Sequence, residues 1–308
     1  MAQAPATAKL RRLQNRLAAR LLGPERSAAV LPLQLSEQQA LSRRKVHRTS
    51  PDNPTLVCLI PLVGAHQVTD WEAVQSRLRQ TIESLRAQTD PAWRAIICGQ
   101  DRPDLPFDSQ VEFLPFTEQV KGNDKWSKLR TLIKHVGTLG LSNGYAMPFD
   151  ADDLMAADTV AYMTQHANPS GYVVERGYML DAATNQMAKA APQSLWAPGQ
   201  KAFWKLCGSC AAFRFDLTQD HRDLDFISAA ISHEHRMFPY LAALAGRPLR
   251  PLPRPAALYI INHGQNFGVR RGRVSFKTRF VERFRVTGPA VQADLAQRFP
   301  TLAYQPQL

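Results

Sequence analysis

Tyr145-Ala146-Met147-Pro148-Phe149-Asp150-Ala151-Asp152-Asp153 joins an apolar run of strand length to three carboxylates within four residues. Like charges at this spacing repel, and burial without partners would raise the cost. They require cations, capping donors or water. At the carboxyl end of a buried strand, such a group is a seat for a hard divalent metal and, through it, for a phosphate-bearing ligand. Standing alone, the same acids read as a turn that caps the following helix, because Asp is favoured at N-caps and in first helical turns. The neighbouring sequence decides between these readings.

Upstream, Thr55 to Val63 is a continuous apolar run, the pattern of a parallel strand buried on both faces. Trp71 to Ala87 carries Trp71, Val74, Leu78, Ile82 and Leu85 on one helical stripe and is stopped by Gln88-Thr89-Asp90-Pro91. Trp93 to Cys98 is the next strand. Strand, helix and strand in this span predict a right-handed βαβ unit. Val111 to Pro115 predicts a third strand, and Lys125 to Val136 a helix ending near Gly137 and Gly140. The strand 145–149 then delivers the acids to the carboxyl edge of a Rossmann-like parallel sheet, where ligands of such sheets bind. Pro148 donates no ladder bond, so this strand is expected to be short, bulged or locally at an edge.

Downstream, a helix is expected from Asp158 to His166. Gly171–Val174 and Arg176–Leu180 read as a hairpin or meander, Ala211–Phe215 as a strand, Glu234–Ala245 as a helix, and Ala257–Ile261 as a strand running into Asn262-His263-Gly264. No internal repeat and no low-complexity tract is evident.

The net charge of +12 is unevenly placed. Residues 1–50 carry +8, residues 270–308 carry +6, and the stretch between them is near neutral at −2. Basic flanks around a neutral body fit an anionic membrane surface or an acidic partner better than a body that grips nucleic acid. Within the first flank, Leu10, Leu13, Leu17 and Leu21 recur at helical spacing among arginines, which predicts a basic amphipathic helix stopped near Gly23-Pro24. Either this helix packs its leucines on the body or it lies on a membrane surface. The expected organisation is a basic helical extension with a turn-rich linker (1–54), a central domain (55–269, divided near 153/154) and a basic tail (270–308). No run approaches the roughly 18 apolar residues of a spanning helix, and no signal peptide is evident. The four cysteines (Cys58, Cys98, Cys207, Cys210) suggest free thiols in a reducing compartment, and hence a cytoplasmic protein, peripheral at most. Cys207-Gly208-Ser209-Cys210 lacks the second pair that a zinc site needs.

Taken in order, the βαβ half, Ser84-Leu85-Arg86-Ala87-Gln88, Asp150-Ala151-Asp152-Asp153, the small-residue run Gly208 to Arg214, His233-Glu234-His235 and His263-Gly264-Gln265-Asn266 resemble glycosyltransferases of the GT-A fold, especially the family-2-like bacterial enzymes. The resemblance covers about residues 55–268. It implies a metal-dependent transfer of a sugar from a nucleotide-sugar donor, most often a UDP-sugar, to a saccharide or lipid-linked acceptor, with inversion. Asp152 then looks like the closest Mn²⁺ or Mg²⁺ ligand, Asp150 a donor-ribose or metal contact, and His263 a further nitrogen ligand. A leaving diphosphate needs such a cation. Glu234 looks like the general base, with His235 as the alternative, because this chain has His-Glu-His where the family has an acidic pair. Pro61 would border the donor, Asp101 would stand near the nucleotide base although displaced from the usual position, and Lys125 and Lys128 would face the diphosphate. Phe203, Trp196 and Trp204 are aromatic candidates for acceptor stacking or for plain core packing. Two other readings are a nucleotidyltransferase, disfavoured by the single glycine in Leu62-Val63-Gly64-Ala65-His66, and a non-catalytic surface-binding protein with a degenerate pocket.

Overall fold

The computed structural model describes residues 3–44, 52–218, 222–264 and 274–302. The chain is α/β, built on a seven-stranded, mostly parallel sheet. Its strands are β1 (Thr55–Pro61), β2 (Trp93–Gly99), β3 (Val111–Pro115), β4 (Asn143–Pro148), β6 (Gly171–Val173), β9 (Ala211–Asp216) and β10 (Arg250–Pro251), in the order β10-β6-β9-β4-β1-β2-β3. β1 pairs in parallel with both β2 and β4, and β3 continues the parallel set. β9 alone runs against its neighbours β4 and β6. The apolar runs of β1 and β2 lie in the centre, with Leu56 to Ile60 and Ala95 to Cys98 fully buried. The helices α4 (Trp71–Arg86) and α5 (Lys125–Val136) face this core through Val74, Leu78, Ile82 and Leu85 and through Leu129, Leu132, Ile133 and Val136. Asp70 caps α4 by accepting a hydrogen bond from the Ala73 N–H at 2.9 Å.

Pro148 sits in a central strand after all. β9 pairs with β4 only from Asn143 to Ala146, whereas β1 stays in register with β4 as far as Pro148 and accepts the next amide, Phe149 N–H to the Leu59 carbonyl at 2.9 Å. Amides alternate in direction along a strand, so the nitrogen of Pro148 points to the side where β9 pairing has already ended. No ladder bond is lost.

The second half departs from the expected hairpin. The two segments separate: β6 joins the large sheet, while β7 (Gly177–Asp181) enters a four-stranded sheet ordered β5-β11-β7-β8, with β5 (Asp153–Met155), β8 (Gln186–Ala190) and β11 (Ala257–Ile261). Gly177 explains the closeness of this crossing, since a Cβ there would meet the Phe203 ring at 2.3 Å. The segment expected as one helix from Glu234 is a 3-10 turn (His235–Met237) followed by α8 (Phe238–Leu244), with Pro239 in the first turn.

The described parts of both flanks pack on this body. The N-terminal segment forms α1 (Lys9–Leu21), α2 (Gly23–Val30) and α3 (Leu35–Arg43). The Glu37 carboxylate, buried, accepts from the hydroxyls of Thr7 and Tyr240 and from the Asn15 amide. Arg43, also buried, donates to Asp223 of α7 (Arg222–Ile231) at 2.7 Å. His233 is held here too: its Nδ1 lies 3.1 Å from the Pro5 carbonyl, and its Nε2 lies 2.8 Å from the Ser36 hydroxyl. A carbonyl can only accept, so Nδ1 carries the proton and Nε2 accepts from Ser36. At the other end, α9 (Val274–Arg283) and α10 (Pro289–Arg298) cover the smaller sheet, where Leu295 and Phe299 join Tyr178, Leu258 and Ile260 in a second apolar cluster. Arg298 clamps α10 down by donating to both oxygens of Asp158 at 3.0 Å. Of the aromatic candidates, Phe203 is buried in the core, Trp204 packs against it, and Trp196 is 96% exposed in the loop after β8.

Candidate active site

A pocket of about 580 Å³ opens at the carboxyl ends of β1 and β4. Pro61, Lys125, Lys128, Asp150, Asp152, Glu234, His235 and His263 all line it. Asp101 does not. Its Oδ2 accepts the Ala65 N–H at 2.7 Å and so braces the turn after β1.

The three acids have three environments. Asp150 and Asp152 lie in the turn between β4 and β5 and are each about a quarter exposed. Asp150 is fixed from two sides: its N–H donates to Ser209 Oγ at 2.8 Å, and its Oδ1 accepts from Lys125 Nζ at 2.5 Å. Burial works to raise its pKa, but the neighbouring cationic groups, the Lys125 ammonium first, together outweigh this and hold the carboxyl below the usual range. Lys125 responds in the opposite sense: burial pulls it down, and Asp150 more than restores it, so it stays cationic. Gly208 makes room here, since a Cβ would stand 3.2 Å from Asp150 Oδ2. Asp152 meets His263 Nε2 at 2.8 Å. His263 reaches it because Asn262 adopts a left-handed conformation (φ 58°) at the end of β11. Asparagine tolerates that region, and the Asn262 amide donates to Asp181 Oδ2 at 2.6 Å and to Thr278 Oγ1 at 3.0 Å. Gln265 and Asn266 lie outside the described residues.

Asp153 is no surface ligand. It starts β5, is fully buried, and accepts from Ser209 Oγ at 2.5 Å and Cys207 Sγ at 3.0 Å. Burial first, then the charges of Asp152 and Asp150, push its pKa well above the usual carboxylate range. Cys207 is pushed up by burial and by Asp153 and Asp150, which keeps it a thiol and a donor. The four cysteines are free and buried.

Lys128 is almost wholly enclosed. Its ammonium donates to the Leu62 carbonyl at 2.6 Å and pairs with Asp124 at 2.9 Å, which locks the end of β1 to α5. Its charge reaches a ligand only through that fixed position. Glu234 and His235 border the opposite wall where the 3-10 turn begins. Burial, followed by the positive charges of Lys277, Arg236 and Lys125, lowers the His235 pKa to about 4, so the ring is neutral at pH 7. Its Nε2 is buried without a hydrogen-bond partner.

Sequence reasoning missed Lys277. It belongs to α9 in the basic flank, yet it lines the pocket, donates to the Tyr259 hydroxyl at 2.5 Å and stands 4.4 Å from that ring's centre. Burial lowers its pKa against the pull of Cys207 and the three acids. The apolar spacing of Phe276, Phe280, Val281 and Phe284 was the available sign that this flank folds as a helix onto the body. Trp126, beside Lys125, is a further pocket residue that sequence reasoning passed over.

Among the described residues, no group of three or more His, Cys, Asp and Glu is placed to hold a metal ion. The donor set at Asp152 and His263 is chemically suited to Mn²⁺ or Mg²⁺, with phosphate oxygens and water as the remaining ligands. Asp150, engaged by Lys125, is less available than sequence spacing implied. No protein-family model matches the chain, and no curated protein matches it.

Proposed function

We propose that the chain is a GT-A-like glycosyltransferase that moves a sugar from a nucleotide-sugar donor to a hydroxyl of a saccharide or lipid-linked acceptor, with inversion. The observation that carries this reading is the convergence of Pro61, Lys125, Asp150, Asp152, Glu234 and His263, drawn from across some 200 residues of sequence, on one pocket at the carboxyl ends of parallel strands. Lys125 and Lys277 give that pocket the positive potential a diphosphate needs. A divalent metal would be held by Asp152 and His263, and when bound it would offset charge on the leaving diphosphate. Asp150 orients Lys125 toward the same space. Glu234 is the base: it takes the acceptor hydroxyl's proton as the acceptor oxygen bonds to the anomeric carbon and the bond to the diphosphate oxygen breaks. His235, neutral at pH 7 and with its pKa lowered to about 4, is a poorer proton acceptor than an ordinary imidazole and serves as a polar wall.

The test is transfer from a panel of nucleotide sugars with Mn²⁺, in wild type, Asp152→Ala and Glu234→Gln. Loss of a general base costs on the order of 10²–10⁴-fold in rate. Glu234→Gln should therefore bind donor normally and lose transfer, while Asp152→Ala should lose the Mn²⁺ dependence of donor binding. Absence of nucleotide-sugar binding by wild type, with or without metal, would refute the proposal.

A further inference from the structure

α1 docks on its own protein with the wrong face for a core helix. Asn15 and Ala19 are the residues it buries, and Asn15 donates to Tyr240 and Glu37. Arg12 adds bonds to the carbonyls of Thr7 and Arg236. The leucines point away: Leu10, Leu13, Leu17 and Leu21 are 68%, 52%, 49% and 79% exposed. At 3.6 residues per turn, these four span an arc of about 80°, opposite Asn15 and Ala19. Lys9, Arg16 and Arg20 run along one edge of that arc. The helix holds five cations and no acid.

We propose that α1 seats the protein on an anionic lipid surface through this leucine stripe and its bordering cations. An apolar row left outward by a helix that is otherwise firmly attached marks an interaction site. The charge decides the occupant. Cations lining one edge of an apolar stripe, on stems long enough to reach past the leucines, match the headgroup layer above an acyl boundary. The basic surface also continues beyond the helix. Lys9, Lys205 and Arg236 all lie close enough to Lys201 to act on it, and Lys201 stands 3.9 Å from the ring centre of the partly exposed Phe276 at the pocket's edge. Gln3, ahead of α1, lines the pocket itself. The lipid surface therefore meets the protein on the side where the pocket opens. Among the described residues no helix is long and apolar enough to cross a membrane, so the contact is with the surface. This inference does not rest on the glycosyltransferase reading.

The experiment is co-sedimentation of the full chain with vesicles of phosphatidylcholine alone, and with vesicles in which phosphatidylglycerol replaces roughly a third of it, at low and high salt. Wild type should bind the anionic vesicles, and salt should weaken the binding. Leu13→Gln/Leu17→Gln removes about half of the apolar contact and should weaken binding about 100-fold. Lys9→Gln/Arg16→Gln/Arg20→Gln should weaken it by about the same factor, at the roughly fivefold that each surface cation contributes. All five positions are exposed, so thermal unfolding of both variants should match wild type. No binding by wild type, equal binding to both vesicle types, or undiminished binding by the leucine variant would overturn the proposal. So would a wild-type dimer that Leu13→Gln/Leu17→Gln converts to monomers with vesicle binding intact, which would make a second copy of the chain the occupant.

Discussion

Replacing Asp223 with alanine removes the carboxylate on which the first flank and the body meet. Asp223 is fully buried, and its Oδ1 accepts from Arg43 of α3 at 2.7 Å and from Arg247 at 3.1 Å. Its Oδ2 accepts the Asp216 N–H at 3.0 Å. Both guanidiniums are themselves buried. Breaking a buried pair from one side costs about 3–5 kcal/mol, because charge stays behind in a poor solvent. The orphaned Asp216 N–H adds about 1–3 kcal/mol. The expected loss for Asp223→Ala is therefore about 4–8 kcal/mol, read as a shift in urea midpoint at constant slope. For a chain of this size it also lowers the melting temperature by roughly 2 °C per kcal/mol. A companion variant separates charge from packing. Arg43→Met/Asp223→Leu/Arg247→Met removes all three charges while keeping volume, and should recover most of the loss. An Asp223→Ala protein within about 1 kcal/mol of wild type would refute the reasoning. A triple variant as unstable as the single one would show that packing, not stranded charge, sets the cost.

Three further outcomes are expected. Asp153→Asn should change stability by less than about 1 kcal/mol at pH below the ordinary 3.8, where the carboxyl is neutral in both folded and unfolded states and an amide mimics it. Because the folded pKa of Asp153 lies above its unfolded value, wild type should lose ground to this variant as pH rises above the ordinary 3.8, which urea titrations across pH would register. His235 has its folded pKa depressed from 6.5 to about 4, so its contribution is present above pH 6.5 and is lost as pH falls toward 4. Wild type measured against His235→Gln should lose about 3 kcal/mol across that window, and a flat difference would contradict burial of a neutral ring. Lys277→Met should weaken binding of a nucleoside diphosphate about 10- to 100-fold, the share of a hydrogen bond to a charged group. Calorimetry on the folded variant checks this, and unchanged affinity would remove α9 from the ligand site.

The first half of the fold was readable because its signals are redundant. β1 is a continuous apolar run, β2 and β3 are apolar runs interrupted only by Arg94 and Glu112, and α4 and α5 are amphipathic over three turns or more. All were bounded to within a residue or two. β5, β8 and β10 are two to five residues long, too short for periodicity, and β5 begins with a buried acid that patterning marks as surface. The splitting of β6 from β7 depends on Gly177 lying against Phe203, a long-range contact that no local pattern encodes. Within the site, Asp150, Asp152, Glu234 and His263 were legible as acids and imidazoles at element ends. Asp101 and Asp153 were misplaced for one physical reason: composition cannot tell a carboxylate facing solvent from one spent on a backbone amide or kept neutral among thiol and hydroxyl donors. Lys277 was hidden by the bulk charge of its flank, which invited a surface reading.

The walls of the pocket are drawn from both extremes of the chain, from Gln3 to Phe276 and Lys277. During synthesis, strands β1 to β4 can pair long before α9 leaves the ribosome, so the cavity acquires the wall that carries its second ammonium only after the sheet has formed. A chain cut short after β11, or a fusion that holds α9 away from Tyr259, would keep the sheet and leave the pocket open on that side.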